Sequence, residues 1–410
     1  MPTLRDCVVL HGPELEPRHC ARFTWAGDTI TALELGAAAP HLVTGTTVVL
    51  PGLCNAHTHV GDSALPDGAT GLTLEQGFFR PHGYKYRELA KIDPETHRTH
   101  IEEHLRYMAA TGTVCHLDFR EQGVEGVARL RAAADTVGVR SYALGQFDQS
   151  PFDHDELDCN NAPLPAMSRA ELEAMLAIAD GFSESTMNDL TDVAWREVRD
   201  VTRRLGKLRA IHCLENEAYR DVSLNRTGKG DLARAIALLD PHFIVHLTVA
   251  NEDEIALIAG AGKTAALNPR ANATLGLPLP PVAALMVSGT NLLLGTDNVM
   301  LNPPNLFAEL DFTYRLARSQ FGAAQAAAPD PLALLKMVTV NASTVLGDDF
   351  PGQLASGGPA TFVALDFTAA HLRHTRNLPA SIIGRVSPAD VLATYRHGRE
   401  LWRRPDVSFN

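Results

Sequence analysis

Two histidines one residue apart, His57 and His59, are the first groups in this chain whose spacing could do chemistry. His57 closes an apolar run, VVLPGLCNAH, with the composition of a strand, and in a strand residues two apart share a face. Both imidazoles can therefore meet one ion. The plainer alternative is a pair of polar strand-end residues that hold nothing. Three further groups weigh against it, because His212 in LRAIHCLE, His246 in FIVHL and Asp297 in NLLLGTD each lie at the end of another apolar run. Imidazole and carboxylate donors suit zinc, with iron and manganese as alternatives, and an incomplete protein shell leaves a position for water.

Elements that could bring five such groups together follow from the apolar pattern. Strand-like runs fall at 48–57, 113–119, 140–147, 180–185, 208–215, 243–247, 264–269 and 291–297, with helical periodicity between them. That alternation predicts an α/β fold, a closed TIM-like (β/α)8 barrel, whose site residues belong at the C-terminal ends of the strands. Ser168 and Glu171 form a capping-box pattern ahead of ELEAMLAIAD, and NEDEIALIAGAG reads as a helix with a glycine stop. The stretch 60–97 is longer than an ordinary βα loop and predicts a lid or a substrate loop.

The two ends of the chain read differently. CVVLHG, RFTWAG, TITALEL and TTVVL near the start, and ATFVALDF and VLATYRHGRELW near the end, are β-rich runs between turn residues. They predict a composite β-sandwich built from residues 1–52 and 348–410, with the barrel, 53–347, inserted between.

A chain of 410 residues, 45% apolar and 20% charged, can fill both a barrel and a small module. The net charge of -12 argues against nucleic acid or an anionic membrane as partner and fits a small-molecule substrate. Charges and prolines interrupt MPTLRDCVVLHGPELEP, so it lacks a signal-peptide apolar region, and no apolar run approaches about 18 residues. The expectation is a cytoplasmic protein. Cys7, Cys20, Cys54, Cys115, Cys159 and Cys213 form no C-x-x-C pair and read as reduced packing residues.

PGLCNAHTHVGDS, AIHCLENE, IVHLTVANEDEIALIAGAG, ALNPRANATLG and LLLGTDNVM, in that order, resemble the amidohydrolase superfamily over nearly the whole chain. The branch resembled holds cytosine deaminase, guanine deaminase, adenosine-type deaminases and triazine hydrolases. The resemblance extends to the terminal β module through GQLASGGPATFVALD and YRHGRELW. It implies His57, His59, His212 and Asp297 as ligands of a divalent metal, zinc first, with Glu215 and His246 handling protons and Asp297 also orienting the water. Glu215 follows His212 in an H-x-x-E arrangement similar to that of the deaminases. Members with two metals use a carbamylated lysine on a middle strand, and RSYALGQF and DGFSES contain none, so one metal is expected. Glu184 in DGFSES is the remaining candidate for a second ion.

Candidate substrate contacts are Arg270 and Asn272 in NPRAN, Arg120 after CHLDF, Lys85 in the long first segment, and Asn298 beside Asp297. Each has a structural alternative. Arg270 can be paired at the barrel rim, Arg120 can pair with Asp118, and Asn298, Asn302 and Asn305 can serve the turn. Arg80 and Lys85, with nearby aromatics, could clamp an anionic substrate group. The leading activity is hydrolytic deamination of an amino-substituted heterocycle of purine, pyrimidine or pterin type. A second reading opens a cyclic amide, imide or lactam, and a third is a binding protein that has lost catalysis. The resemblance also allows a homo-oligomer.

Overall fold

The computed structural model describes residues 1–38 and 45–408. Sixteen strands are found among them: β1 (Thr3–His11), β2 (Glu16–Ala26), β3 (Thr29–Ala38), β4 (Thr47–Pro51), β5 (Leu53–His59), β6 (Thr113–Arg120), β7 (Arg140–Gly145), β8 (Gly181–Phe182), β9 (Leu208–Cys213), β10 (Phe243–His246), β11 (Thr264–Leu267), β12 (Asn291–Leu294), β13 (Asp297–Asn298), β14 (Phe362–Asp366), β15 (Val391–Arg396) and β16 (Arg399–Arg403). They divide into a nine-stranded parallel sheet and a seven-stranded mixed sheet.

The parallel sheet runs β12-β11-β10-β9-β8-β7-β6-β5-β13. Its two ends are halves of one stretch of chain: β12 pairs with β11, and two residues later β13 pairs with β5, Asp297 against Thr58 and Asn298 against His59. A continuous segment bonded to both edges closes the sheet into a barrel. The expected run 291–297 is thus two short strands, split at Gly295 and Thr296, because closure requires the chain to change partners. A Cβ on Gly295 would lie 2.6 Å from His57 Cβ and 2.5 Å from the Asn268 side-chain amide, so only glycine admits this approach.

The expected run 48–57 also divides. β4 joins the terminal sheet and β5 the barrel, with the break at Gly52, where a Cβ would meet the Val114 side chain at 2.6 Å. Hydrophobicity continues across the break because both strands are buried, so the pattern alone conceals it.

The second sheet runs β16-β15-β14-β4-β1-β2-β3, so strands from both ends of the chain share it. Phe23 on β2 and Phe362 on β14 stand three strand spacings apart, about 14 Å in a flat sheet. Their rings are 4.9 Å apart, so the sheet curls strongly on itself. Trp25 and Tyr395 meet across the same curl at 5.1 Å. The single closing strand expected at YRHGRELW is instead a hairpin, β15 and β16, turning on His397 and Gly398, both with positive φ.

Helix Glu252–Gly260 is opened by Asn251 in a capping box with Glu254, and it ends at the expected glycine. Ser168 does not cap its helix, which begins two residues earlier at Ala166 after Pro165. Proline excludes the preceding residue from helix and sets that boundary ahead of the serine. Segment 60–97 folds into short helices, Leu74–Phe78 and Tyr84–Leu89, ahead of Pro94–Ala110. Cys7, Cys20, Cys54, Cys115 and Cys213 are buried and unbridged, while Cys159 is exposed. Among the described residues no helix is long and apolar enough to cross a membrane.

Candidate metal centre and cavity

Barrel closure brings the strand ends together. His57 and His59 end β5, His212 lies on β9, His246 ends β10 and Asp297 opens β13. Potential ligand atoms of His57, His212 and His246 lie within 4.8 Å of one another, as do those of His57, His59 and Asp297. The two trios share His57, so the other four side chains gather around its imidazole. Phe119, on β6, supplies an apolar floor, its ring 4.4 Å from that of His57 and 4.7 Å from that of His212.

His57 is completely buried, and neither ring nitrogen makes a hydrogen bond. Its Nε2 approaches Asp297 Oδ1 to 3.1 Å without the geometry of one. An imidazole buried with both nitrogens unsatisfied is costly, and a cation among these donors would satisfy it. The residues therefore fit a divalent ion. His212 has its Nδ1 2.9 Å from the Glu184 carbonyl and His59 its Nδ1 2.9 Å from Glu121 Oε1. With those nitrogens donating, each ring's Nε2 keeps its lone pair, the form a ligand needs.

His246 is oriented by two amides. Asn268 is best satisfied with its nitrogen 3.1 Å from both the Leu267 and Gly295 carbonyls, which leaves its oxygen 3.4 Å from His246 Nδ1. The Asn272 amide lies 3.3 Å from the same nitrogen. His246 Nε2 is then directed to Glu215, 3.7 Å away. His246 and Asp297 both have positive φ, a strained conformation for residues with side chains that concentrates at functional sites.

Electrostatics separates the carboxyl groups. Burial, then the neighbouring Asp297 charge, pushes Glu215 up to about 8. Burial also opposes ionisation of Asp297, but the surrounding histidines, His57 foremost, more than offset it and hold its carboxyl far below the ordinary range. Burial lowers His246 to about 3, leaving a neutral imidazole. One carboxyl is thus kept protonated near neutrality and another ionised within a single site.

Above these groups opens a cavity of about 430 Å³. His59, Lys85, His212, Glu215, His246, Asp297 and Asn298 line it, whereas His57, Arg120, Arg270 and Asn272 do not. Arg120 lies against Gly61, 3.8 Å from Asp118 and 2.9 Å from Glu121, so its pairing alternative is the observed arrangement. Arg270 donates its backbone N–H to Glu309 at 3.0 Å, with its guanidinium 3.8 Å from the same carboxylate. Asn305 caps helix Leu306–Phe321, and Asn302 accepts the Thr274 hydroxyl at 3.2 Å.

The long first segment supplies the outer wall through Phe79, Arg80, Lys85 and Tyr86, opposite Tyr219. Phe79 and Tyr219 stack at 5.7 Å. Its cations are already neutralised, Arg80 by Glu184 and Asp189, and Lys85 by Asp62 and Glu121. Among the described residues, neither of these two cations is left unpaired for an anionic substrate group. The Glu184 carboxylate is committed to Arg80 and the Phe147 N–H and takes no part in either ligand trio. Asp62, Glu121, Asn268 and Tyr219 were not singled out by sequence, whereas Tyr86 belongs to the aromatics read beside Arg80 and Lys85. Of those missed, only Glu121, a charge ending the run CHLDFRE, carried a usable signal.

A closed parallel barrel with imidazoles and a carboxylate gathered at the C-terminal ends of its strands defines a barrel enzyme. Residues 48–401 match the model of the amidohydrolase family. A protein of Methanothermobacter thermautotrophicus named "Putative aminohydrolase" is 31% identical over 370 residues, 89% of this chain and 91% of its own. A 5-methylthioadenosine/S-adenosylhomocysteine deaminase of Syntrophobacter fumaroxidans is 27% identical over 371 residues, 87% of this chain and 80% of its own. The zinc-bound crystal structure of an adenosine deaminase from Xanthomonas campestris superposes with a TM-score of 0.78 at 21% identity, covering 96% of this chain and 92% of that one. The chain belongs to the amidohydrolase family and is a hydrolase of carbon–nitrogen bonds other than peptide bonds.

Proposed function

We propose that this enzyme removes the exocyclic amino group of a small heterocycle of purine, pyrimidine or pterin type by hydrolysis, using one divalent metal, zinc. One juxtaposition carries the reading: the orphaned imidazole of His57 within its ring of donors, beside a Glu215 that holds its proton near neutrality. Relatives named for deamination of 5-methylthioadenosine and S-adenosylhomocysteine support the amino-heterocycle class. Zinc suits a set rich in neutral imidazole, and the Xanthomonas campestris deaminase binds it.

His57, His59, His212 and Asp297 are the ligands in this reading. A divalent ion held by these residues would supply Lewis acidity that makes water nucleophilic near neutral pH. Glu215 donates its proton to a ring nitrogen of the substrate, which makes the adjacent sp2 carbon electrophilic, then takes a proton from the added water and passes it to the departing amine. His246, neutral and donating at Nδ1 to the Asn268 oxygen, would accept a hydrogen bond from the water at Nε2, with Asp297 helping to orient that water. Phe79 and Tyr219 exclude bulk water and offer flat surfaces to the ring. Asn298 faces the cavity and remains a substrate contact, whereas Arg120, Arg270 and Asn272 act behind the wall.

We further assign residues 53–347 to the barrel and 1–52 with 348–410 to a composite β-sandwich, of which 39–44 and 409–410 lie outside the described residues. The strong curl of the terminal sheet supports that second assignment. We place the enzyme in the cytoplasm, where small amino-heterocycles are available. A panel of aminopurines, aminopyrimidines, aminopterins and cyclic imides, given to zinc-loaded protein, tests the activity. Ammonia with an intact ring is expected, and ring opening without ammonia would replace deamination with cyclic-amide hydrolysis.

A further inference from the structure

Lys85 is 3% exposed, although lysine is ordinarily among the most exposed residues. Its ammonium lies 2.8 Å from Asp62 and bonds Glu121. The same Glu121 oxygen that bonds Lys85 is 2.9 Å from His59 Nδ1, and the other Glu121 oxygen accepts from Arg120 at 2.9 Å. Asp62 in turn accepts from the amide of Asn298, the neighbour of Asp297. Side chains thus form a buried path from His59 through Glu121, Lys85, Asp62 and Asn298 to the chain position beside Asp297. All five members are less than a tenth exposed.

Burying four charges, Lys85, Asp62, Glu121 and Arg120, is expensive even when they are paired, and an apolar replacement is often as stable. The placement gives the expense a use. Lys85 belongs to helix Tyr84–Leu89 in the segment that walls the cavity with Phe79, Arg80 and Tyr86. Glu121 immediately follows the neighbouring barrel strand, β6, and touches the imidazole directly.

We propose that Glu121 and Lys85 are positioning residues: Glu121 fixes the orientation and tautomer of His59, and Lys85 holds Glu121 to that task. Through them the cavity-lining segment is tied to the metal centre. The inference rests on the reading of His59 as a metal ligand.

Zinc(II) affinity of the full-length protein, measured by competition with a chromophoric chelator, tests it without reference to activity. Glu121→Gln keeps shape but weakens the acceptor and should cost about 10–100-fold in affinity, the range found for outer partners of ligand histidines. Lys85→Met should also weaken binding by about tenfold or more. The double variant should be no weaker than Glu121→Gln within about twofold, because one residue acts through the other.

Unchanged affinity in folded Glu121→Gln, or losses that simply add, overturns the proposal and leaves the metal reading standing. A wild-type protein that takes up no zinc overturns both. If Glu121→Gln does not fold, Lys85→Arg against Lys85→Met decides: the arginine variant should stay within about twofold of wild type, and equal affinities in the two would contradict the link.

Discussion

His57 Nε2 and Asp297 Oδ1 stand 3.1 Å apart across the seam where the barrel closes. β5 carries the imidazole, β13 the carboxylate, and the two strands pair directly beside them. Assembly of the site and closure of the fold are therefore one structural event, and damage to either should be felt by the other.

Removal of His57 or Asp297 should lower metal occupancy sharply. His57→Ala deletes the group shared by both donor trios, and Asp297→Ala the carboxylate of one of them. Metal analysis of protein dialysed against trace zinc measures this, and a variant that retains stoichiometric zinc is not missing a ligand.

Glu215→Gln should bind zinc normally yet turn over about 10²–10⁴-fold more slowly, since the amide keeps the shape and loses the transferable proton. Steady-state kinetics alongside metal analysis separates the two effects. Turnover near wild type would remove Glu215 from proton transfer.

Gly295→Ala should lose stability by about 1–3 kcal/mol through overpacking. The new methyl group would sit 2.7 Å from the His57 backbone nitrogen and 2.6 Å from its Cβ, displacing that ligand's strand, so zinc affinity should fall with it. Denaturant unfolding gives the first quantity and chelator competition the second. A fully stable variant would mean that the seam can relax.

Stability should also depend on pH through Glu309. Burial pushes this carboxyl up to about 8 even though Arg270 and its N–H favour the charged form. Between the ordinary carboxyl value and about 8 the folded state therefore holds a proton that the unfolded state has released. Stability contributed by the neutral form is lost as pH rises through that window. Glu309→Gln has no proton to lose and should flatten this part of the profile. Parallel slopes for the two proteins would place the raised carboxyl elsewhere.

Much of this organisation was legible in the sequence, for a physical reason. Strand ends are where barrels build sites, so His57, His59, His212, His246 and Asp297 could be found from local apolar runs alone. Divisions at Gly52 and at Gly295–Thr296 were hidden, because they depend on which distant strand each half meets. The hairpin at His397–Gly398 was read as one strand because both of its arms are β-rich. Support for the candidate ligands was least visible of all. Glu121 lies 62 positions from His59, and no local periodicity relates them.

Ammonia release from an aminopurine nucleoside by zinc-loaded protein, followed together with ring absorbance and repeated after chelation and after zinc is restored, tests the central claim most directly. The account predicts ammonia with the ring intact, lost with the metal and recovered with it. Ammonia release that persists undiminished in verified metal-free protein would contradict it.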